Sequence, residues 1–290
     1  MSIVENYIQQ HNYLITEIKN IPYGKQYKCL INNELITINE YTTGKILVQG
    51  KDSTLKNNIT NELVKTPKEK KKNSIDYEPT NYSNQTRIGI DEAGKGDYFG
   101  CLTVCAAMVD KTQENALIEC NVRDSKQIND SHILTLYHEW KDKIRHEVII
   151  LHPNEYNQKY KETYNLNQLL AWGHATALER ILQTNFVSLA ISDQFAKDKR
   201  ILESQLQEYG KKICLIQQPK AEKDIAVAIA SIFARAYFII EWQKMEEEYK
   251  MTFPKGANNV KETARIFIQK YGRIFLPKVA KVHFKITNEL

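Results

Sequence analysis

The stretch RIGIDEAGKGDYFGCLTVCAAMV, residues 87–109, decides the fold of this chain. It reads as a short strand, RIGIDE, and a buried strand, CLTVCAAMV, with a glycine-rich turn and no helix between them. Because side chains alternate along a strand, Gly89 and Asp91 point to the same face of the sheet. The acidic pair Asp91-Glu92 therefore ends a strand just where the backbone becomes rich in glycine.

Three further strands and two helices follow this pair. The strands are HEVIIL at 146–151, FVSLAISD at 186–193 and KKICLIQ at 211–217, and helical apolar stripes cover 167–184 and 224–249. The first two strands of the region are joined directly, which favours antiparallel pairing, whereas the later ones alternate with helices, which favours parallel pairing. The pattern predicts an α/β fold with a mixed five-stranded sheet, antiparallel at one side and parallel at the other.

The first 64 residues follow a different pattern. A helix-like start is followed by short alternating runs, QYKCLIN, ELITINEY and KILVQG, and its predicted apolar face consists of Ile3, Tyr7, Ile8, Leu14 and Ile18. This predicts a small helix-plus-antiparallel-sheet module. Residues 65–86 are rich in Lys, Asn and Ser and lack apolar periodicity, so they read as a Lys-rich linker. We therefore predict an N-terminal module over 1–64, this linker over 65–86, and a larger domain over 87–290.

Composition sets wide limits on the partners of the chain. The 290 residues include 40 Lys and Arg against 35 Asp and Glu, a formal net charge of +5, and 42% are apolar. This excludes a disordered or collagen-like chain, and it permits a polyanionic partner without requiring one. The five cysteines are scattered with no C-x-x-C pair, which argues against a zinc cage or a disulfide framework. With no leader pattern and no run of roughly 18 apolar residues, we expect a cytoplasmic protein without a membrane span.

A set of acidic residues stands where metal chemistry is possible. Asp91 and Glu92 end one strand, Asp193 ends another, and Glu222 and Asp224 precede a helix. Ligands sit beyond the carboxyl ends of parallel strands in open α/β sheets, and carboxylates there suit a hard divalent cation. Each group also has a purely structural interpretation, as a solvated turn or as a helix N-terminal stabiliser. The set converges if the two strands are neighbours, and repulsion among the acids then favours metal binding.

The glycine-rich turn GKGDYFG does not fit a nucleotide loop. It lacks the G-x-G-x-x-G spacing, and Lys95 is not followed by the Ser or Thr of a P-loop. Its glycines let the backbone approach a sugar or phosphate closely, with Lys95 as a nearby cation. Two other polar features stay open. The segment Arg123-Asp124-Ser125-Lys126 is either a phosphate contact or a surface turn, and His174 on an apolar helix stripe is either a hydrogen-bonded core residue or a functional one.

The run GIDEAGKGDYFG at 89–100 resembles the opening motif of the type 2 ribonucleases H, and its Gly-Lys-Gly form is similar to the ribonuclease HIII branch of that family. The further matching motifs are, in order, Asp124-Ser125-Lys126, NLNQLLAWGHA at 165–175, Ser192-Asp193-Gln194-Phe195, KAEKDIAVAIASIFAR at 220–235, FPKGA at 253–257 and KVHFK at 281–285. The resemblance spans residues 87–285. Residues 1–64 match only the general plan of that branch, whose N-terminal module resembles the TATA-binding protein fold and helps to bind substrate.

The resemblance implies a ribonuclease H fold and cleavage of the RNA strand of RNA–DNA hybrids, leaving 3′-hydroxyl and 5′-phosphate ends. It implies two Mg²⁺ or Mn²⁺ ions per site, with Asp91 as the expected bridge between them. The implied catalytic and metal-binding residues are Asp91, Glu92, Asp193 and Glu222, with Asp224 as the competitor for the fourth place. The implied substrate contacts are Gly94, Lys95 and Gly96 at the ribose 2′-OH, and Ser125 and Lys126 at a phosphate.

Two alternatives to this function remain open. One is a ribonuclease HII-type enzyme that excises single embedded ribonucleotides, against which the N-terminal module and the Gly-Lys-Gly form argue. The other is a non-catalytic protein that binds hybrids and has kept the fold. A lost carboxylate would indicate the latter, and every position of the implied quartet is acidic. We expect the protein to act as a monomer.

Overall fold

The computed structural model describes residues 2–51, 53–63, 82–122, 125 and 128–290. The chain divides into two compact units, Met1–Asp76 and Tyr77–Leu290. Most of the predicted Lys-rich linker, 65–86, lies outside the described residues, and so does the predicted boundary at residue 64. The proposed division at 64 and 86 therefore stays a prediction.

The N-terminal unit is an antiparallel sheet with a helix at each end of its sequence. Its elements are Ile3–Gln10 (α1), Leu14–Ile21 (β1), Gly24–Ile31 (β2), Glu34–Tyr41 (β3), Ile46–Gln49 (β4) and Thr54–Leu63 (α2). The four strands pair in sequence order, and all three pairings are antiparallel. The buried side chains of α1, the central strands and α2 form one apolar cluster, as expected for the predicted α+β module.

The prediction that Leu14 and Ile18 continue the apolar face of the first helix was wrong. The helix ends at Gln10, and Asn12 adopts a left-handed φ of 51°, which turns the chain into β1. The amide of Tyr13 still bonds the carbonyl of Ile8 at 3.0 Å, a closure typical of helix C-termini. Leu14 and Ile18 therefore lie in a strand, and they are 63% and 54% exposed.

The larger unit contains the predicted mixed sheet. Its strands are Arg87–Ala93 (β5), Leu102–Val109 (β6), His146–Leu151 (β7), Leu189–Asp193 (β8) and Cys214–Gln218 (β9). Their order is β7-β6-β5-β8-β9. The pairs β7–β6 and β6–β5 are antiparallel, whereas β5–β8 and β8–β9 are parallel. The sheet therefore changes from antiparallel to parallel at β5, the strand that carries Asp91 and Glu92.

Helices cover both faces of this sheet. They are Lys111–Glu119 (α3), Asp130–Trp140 (α4), Pro153–Thr163 (α5), Leu166–Leu182 (α6), Arg200–Glu203 (α7), Ile225–Tyr249 (α8) and Lys261–Tyr271 (α9). Alternating residues of β6 separate the two cores. Cys105 and Ala107 pack with α8, while Val104 and Ala106 pack with α6. The two predicted helices thus correspond to α6 and α8, with ends shifted by one or two residues.

The helix α8 is long and apolar enough to cross a membrane by length and composition alone. However, 78% of its most apolar window is buried inside the unit. It packs closely on β5, because a Cβ added at Gly89 would lie 2.0 Å from the carbonyl carbon of Ala226. Its apolarity is thus explained by its place as the central helix of the core, and Gly89 is the residue that permits the close approach.

Candidate functional site

The acidic strand ends predicted from the sequence lie side by side. The parallel register pairs Ile90 of β5 with Ser192 of β8, so Asp91 and Asp193 follow at the same level of the sheet. Asp91, Glu92 and Asp193 line one cavity of about 540 Å³ at the carboxyl ends of these strands. The condition on which the predicted convergence depended, that the two strands are neighbours, is therefore met for these three residues.

Asp91 is a nearly buried carboxylate of the cavity. Its side chain is only 8% exposed. One of its oxygens, Oδ1, accepts the backbone N–H of Glu92 at 2.8 Å, and the hydroxyl of Ser231 on α8 also contacts the carboxylate. Burial raises the pKa of Asp91 well above its ordinary value, and the charges of Glu92 and Asp193 raise it further. The surroundings of Asp91 thus favour its protonated form more than water does.

Glu92 has the opposite balance. Burial opposes its ionisation, but the hydrogen bond from His174 and the charge of Lys95 outweigh burial and lower the pKa of Glu92. Its Oε2 accepts from Nε2 of His174 at 3.0 Å, and Oε1 accepts from Nζ of Lys95 at 3.4 Å. The surroundings therefore raise the pKa of Asp91 and lower the pKa of the adjacent Glu92. Such perturbed pKa values are typical of functional sites.

His174 connects the two strands that carry the acidic residues. It is fully buried on α6, and both ring nitrogens are hydrogen-bonded. Nε2 bonds Glu92 on β5, while Nδ1 bonds the hydroxyl of Ser192 on β8 at 3.0 Å. The two interpretations left open by the sequence are thus compatible, because His174 is a hydrogen-bonded core residue whose partner is a carboxylate of the cavity.

Glu222 is not among the residues that line the cavity, although the residue before it, Ala221, contacts Asp193. It belongs to a 3₁₀ turn, Ala221–Lys223, that follows β9. The amide of Ala221 donates to Oδ1 of Asp193 at 3.1 Å, and Lys220 adopts a left-handed φ of 55° to make this approach. The side chain of Glu222 is half-buried one residue away from the bonded amide.

Asp224, the competitor for the fourth place, has a structural role. It is fully buried, caps α8 through the amide of Ala226 at 2.9 Å, and binds Nε of Arg87 at 2.8 Å. Arg87 also binds Glu114 of α3 at 2.9 Å. This buried triad joins the start of β5, α3 and the start of α8. Asp224 thus behaves as the helix N-terminal stabiliser that its position predicted.

The Gly-Lys-Gly segment forms one wall of the cavity. Gly94 has a φ of +86°, and a Cβ there would lie 2.3 Å from the carbonyl oxygen of Cys101, so only glycine fits. Gly96 faces open space. The hydroxyl of Ser125, which is 5% exposed, shares a 2.7 Å hydrogen bond with Ser231, so it is engaged with the protein interior. Lys126 lies outside the described residues, and its predicted contact stays a prediction.

Two basic residues of the cavity were not singled out from the sequence. Arg235 and Lys255 line it, and both bind the carboxylate of Asp130 on α4. Arg235 also donates to the carbonyl of Ser125 at 2.6 Å. A signal was available for Arg235, because it is a lone cation inside the apolar run of α8, one turn after Ser231 and on the same face. Lys255 lies in an irregular segment without such a pattern, and its one signal was its place in the FPKGA motif at 253–257.

The donor set of this cavity fits a hard divalent cation. The groups are carboxylate oxygens, which Mg²⁺ and Mn²⁺ prefer, and their mutual repulsion would be relieved by a positive ion. Within the described part of the chain, no three acidic, His or Cys side chains stand in an arrangement ready to hold a metal. The three carboxylates thus share a cavity without forming a ready-made arrangement for a metal ion in the described residues.

Comparisons with known proteins agree on one family. The family described as Ribonuclease HII matches residues 88–287. Ribonuclease HIII of Chlamydia pneumoniae is 34% identical over 288 residues, which cover 98% of this chain and 92% of that protein. Ribonuclease HIII of Chlamydia trachomatis serovar D is 37% identical, covering 86% of this chain and 82% of that protein. Among solved structures, that of Bst-RNase HIII in complex with Mn²⁺ is similar with a TM-score of 0.68 and 26% identity, covering 100% of this chain and 95% of that one.

Proposed function

The chain belongs to the ribonuclease HIII branch of the type 2 ribonucleases H, and from this premise we propose that it cleaves the RNA strand of RNA–DNA hybrids by a two-metal-ion reaction that leaves 3′-hydroxyl and 5′-phosphate ends. Membership of this family makes the protein an endoribonuclease that acts on hybrids. The main support for this mechanism is that Asp91, Glu92 and Asp193 line one cavity at adjacent strand ends. The Mn²⁺ complex of Bst-RNase HIII supports a divalent metal as the cofactor.

The residues proposed to hold the ions are Asp91, Glu92, Asp193 and Glu222. Asp91 would help to hold both ions, Glu92 and Glu222 would help to hold one of them, and Asp193 would help to hold the other. Divalent ions there would supply charge neutralisation and activation of a water molecule for in-line displacement. His174 holds Glu92 in place, and the Ala221 amide holds Asp193, so both carboxylates are oriented before any ion binds.

The remaining walls of the cavity are suited to a nucleic-acid backbone. We assign Lys95, Arg235 and Lys255 to phosphate attraction, because all three are cations that line the cavity. The backbone of Gly94 to Gly96 is the proposed reader of the ribose 2′-OH, the group that distinguishes RNA from DNA. Ser125 and Lys126 remain proposed phosphate contacts, with Ser125 acting from its buried position beside Arg235.

We propose that the N-terminal unit contributes to hybrid binding, and that the protein is a monomer in the reducing environment of the cytoplasm. In the sheet of this unit, Gln26 donates to Asn39 at 2.9 Å, and Asn39, which is only 6% exposed, donates to Gln49 at 3.4 Å. All five cysteines are free thiols.

A chain lacking residues 1–64 is expected to show a raised KM for the hybrid with little change in kcat. Light scattering of the full chain should give the mass of one monomer.

A cleavage assay tests the proposed function. The full chain is incubated with an RNA–DNA hybrid, and separately with a DNA duplex containing a single ribonucleotide, each with Mg²⁺, with Mn²⁺ and with chelator. We expect metal-dependent cleavage of the hybrid and 5′-phosphate ends on the products. Cleavage confined to the single ribonucleotide would instead support ribonuclease HII-type excision, and hybrid binding without cleavage would support the non-catalytic alternative.

A further inference from the structure

A buried lysine near the C-terminus binds the chain segment that follows the Gly-Lys-Gly wall. Lys281 is fully buried, and its ammonium donates to the carbonyl oxygens of Asp97 at 2.9 Å, Gly100 at 2.8 Å and Phe99 at 3.4 Å. These three acceptors belong to one short segment, residues 97–100. Lys281 is 184 residues away from Asp97 in sequence, so this contact is purely tertiary.

The backbone of the C-terminal segment reinforces the same contact. The amide of Lys281 donates to the carbonyl of Tyr98 at 2.8 Å, and the amide of Gly100 donates to the carbonyl of Val279 at 2.9 Å. From another direction, the amide of Tyr98 bonds the carbonyl of Gly256 at 2.9 Å. Tyr98 and Phe99 are themselves fully buried. Residues 97–100 are therefore held on more than one side, with Lys281 as the only side chain in the described residues that bonds three of their carbonyls.

Residues 97–100, which Lys281 contacts, directly follow the Gly94–Gly96 wall of the cavity. The Gly94–Gly96 wall has β5 at one end and residues 97–100 at the other. Gly94 packs closely against the carbonyl oxygen of Cys101, whereas Gly96 faces open space and is free of such restraint. The conformation of the wall therefore depends on its two ends as well as on the packing of Gly94. β5 is held by the sheet, and residues 97–100 are held by Lys281 together with the backbone of Gly256 and Val279.

We propose that Lys281 is a positioning residue for catalysis, whose buried ammonium fixes residues 97–100 and thereby holds the Gly94–Gly96 backbone in the conformation that binds the hybrid. The inference rests on the proposed function, because it assigns the wall to substrate binding. It adds a residue of the KVHFK segment, remote in sequence from every acidic residue of the cavity, to the machinery of the site.

The chemistry of the contact supports a role beyond stability. Placing an ammonium in the interior is costly, and apolar packing is usually the cheaper way to join two segments. Burial lowers the pKa of Lys281 to about 8, so the group still carries its charge at neutral pH. A charged donor with three convergent carbonyls restrains the direction of each peptide group, which apolar packing does not do.

The test compares Lys281→Met with the matched control Lys285→Met in the full chain. Methionine keeps the length and apolar body of the side chain but removes the donor, whereas Lys285 is an exposed lysine of the same segment. The measurements are the melting temperature, kcat and KM for an RNA–DNA hybrid with Mn²⁺, and amide hydrogen exchange over residues 94–100. We expect Lys281→Met to raise KM by about tenfold with a smaller change in kcat, and to accelerate exchange at residues 94–97, while Lys285→Met matches wild type.

A folded Lys281→Met protein with wild-type KM and wild-type exchange over 94–100 overturns the inference, whatever its melting temperature. If the methionine variant does not fold, Lys281→Gln, which keeps a neutral donor, is measured against the same two criteria. Absence of hybrid cleavage by the wild-type enzyme would refute the proposed function instead, and the exchange measurement would still decide whether Lys281 holds the wall.

Discussion

The three carboxylates of the cavity differ in the hydrogen-bonding and cationic partners that the protein gives them. Glu92 has two cationic or hydrogen-bonding partners, and Asp193 has the Ala221 amide. Asp91 has an amide and a hydroxyl, no cation of the described residues pairs with it, and it is flanked by two acids. The site is therefore electrostatically incomplete at Asp91, and this is the position where a divalent ion would gain the most.

Metal binding should strengthen as pH rises. Because the pKa of Asp91 is raised, the group holds a proton at pH values where an ordinary aspartate has lost it, and this proton competes with the ion. Lowering the pH therefore weakens binding, and raising it strengthens binding. We expect the increase in melting temperature caused by Mn²⁺ to be larger at pH 8 than at pH 6, since stabilisation grows with ligand concentration relative to Kd. An increase that is equal at both pH values, or absent, would contradict this assignment.

His174 should act on the metal through Glu92. Replacing it by Gln removes the ring that bridges Glu92 and Ser192. Loss of such an outer partner typically costs about 10- to 100-fold in metal affinity or activity. We expect His174→Gln to weaken Mn²⁺ binding, measured by calorimetry, within that range. The control is His132→Gln, at an exposed position on α4, which should bind Mn²⁺ as wild type does. Unchanged affinity in a folded His174→Gln protein would remove His174 from the site.

Substitutions at Glu222 and Asp224 should have different effects, the first on cleavage activity and the second on the free energy of unfolding. Asp224→Asn weakens a fully buried ion pair with Arg87, so we expect the free energy of unfolding to fall by about 3 kcal/mol. Glu222 is half-buried and outside that triad, so Glu222→Gln should change stability by less than about 0.5 kcal/mol but greatly reduce cleavage. Urea unfolding and hybrid cleavage measure the two effects. The reverse pattern would make Asp224 the fourth ligand.

The contact between β5 and α8 positions the acidic strand end relative to Ser231 and Arg235. It depends on Gly89, because a Cβ there would lie 2.0 Å from the backbone of Ala226. The sheet contributes Asp91 and Asp193, and the helix contributes the hydroxyl and the guanidinium that border them. A shift of α8 away from β5 would therefore open the site as well as the core.

Gly89→Ala should destabilise the larger unit strongly. Overpacking a core typically costs about 1–3 kcal/mol, and here the clash is with rigid helix backbone, so we expect the upper end of that range or more. The control is Gly96→Ala, where no atom lies within 4 Å of the added Cβ and the free energy of unfolding should stay near wild type. Equal stability of the two variants in urea would show that α8 does not approach β5 as described.

The sequence predicted the strands of the larger unit, α6 and α8 well, because their apolar runs are long and bounded by polar turns. It failed at Leu14 and Ile18, whose spacing suits a helix as well as a strand, and the turn at Asn12 decided between them. The position of the strand-end acids could be predicted, because the carboxyl ends of neighbouring parallel strands lie at the same edge of a sheet. The contacts of Lys281 and Lys255 could not be predicted, since their partners are distant in sequence and only the tertiary fold brings them together.

The whole chain combines a net charge of +5 with a cavity lined by carboxylates. The positive excess thus understates the basic surface that is available to a polyanion, because part of it is offset by acids that metal ions would neutralise. The lysines of 65–86, which lie in the predicted linker, are part of this excess. The two units divide the work in the proposed function. The larger one carries every acidic residue of the site, while the N-terminal one is proposed to add affinity for the hybrid.

The most direct test of this account is hybrid cleavage by Asp91→Asn under single-turnover conditions with Mn²⁺, together with the Kd for the hybrid. Asn keeps the shape of the side chain and removes the charge that the metal requires. We predict that cleavage is lost, while the Kd for the hybrid and the melting temperature without metal stay close to wild type. Wild-type cleavage by a folded Asp91→Asn protein would contradict the assignment of this cavity as the active site.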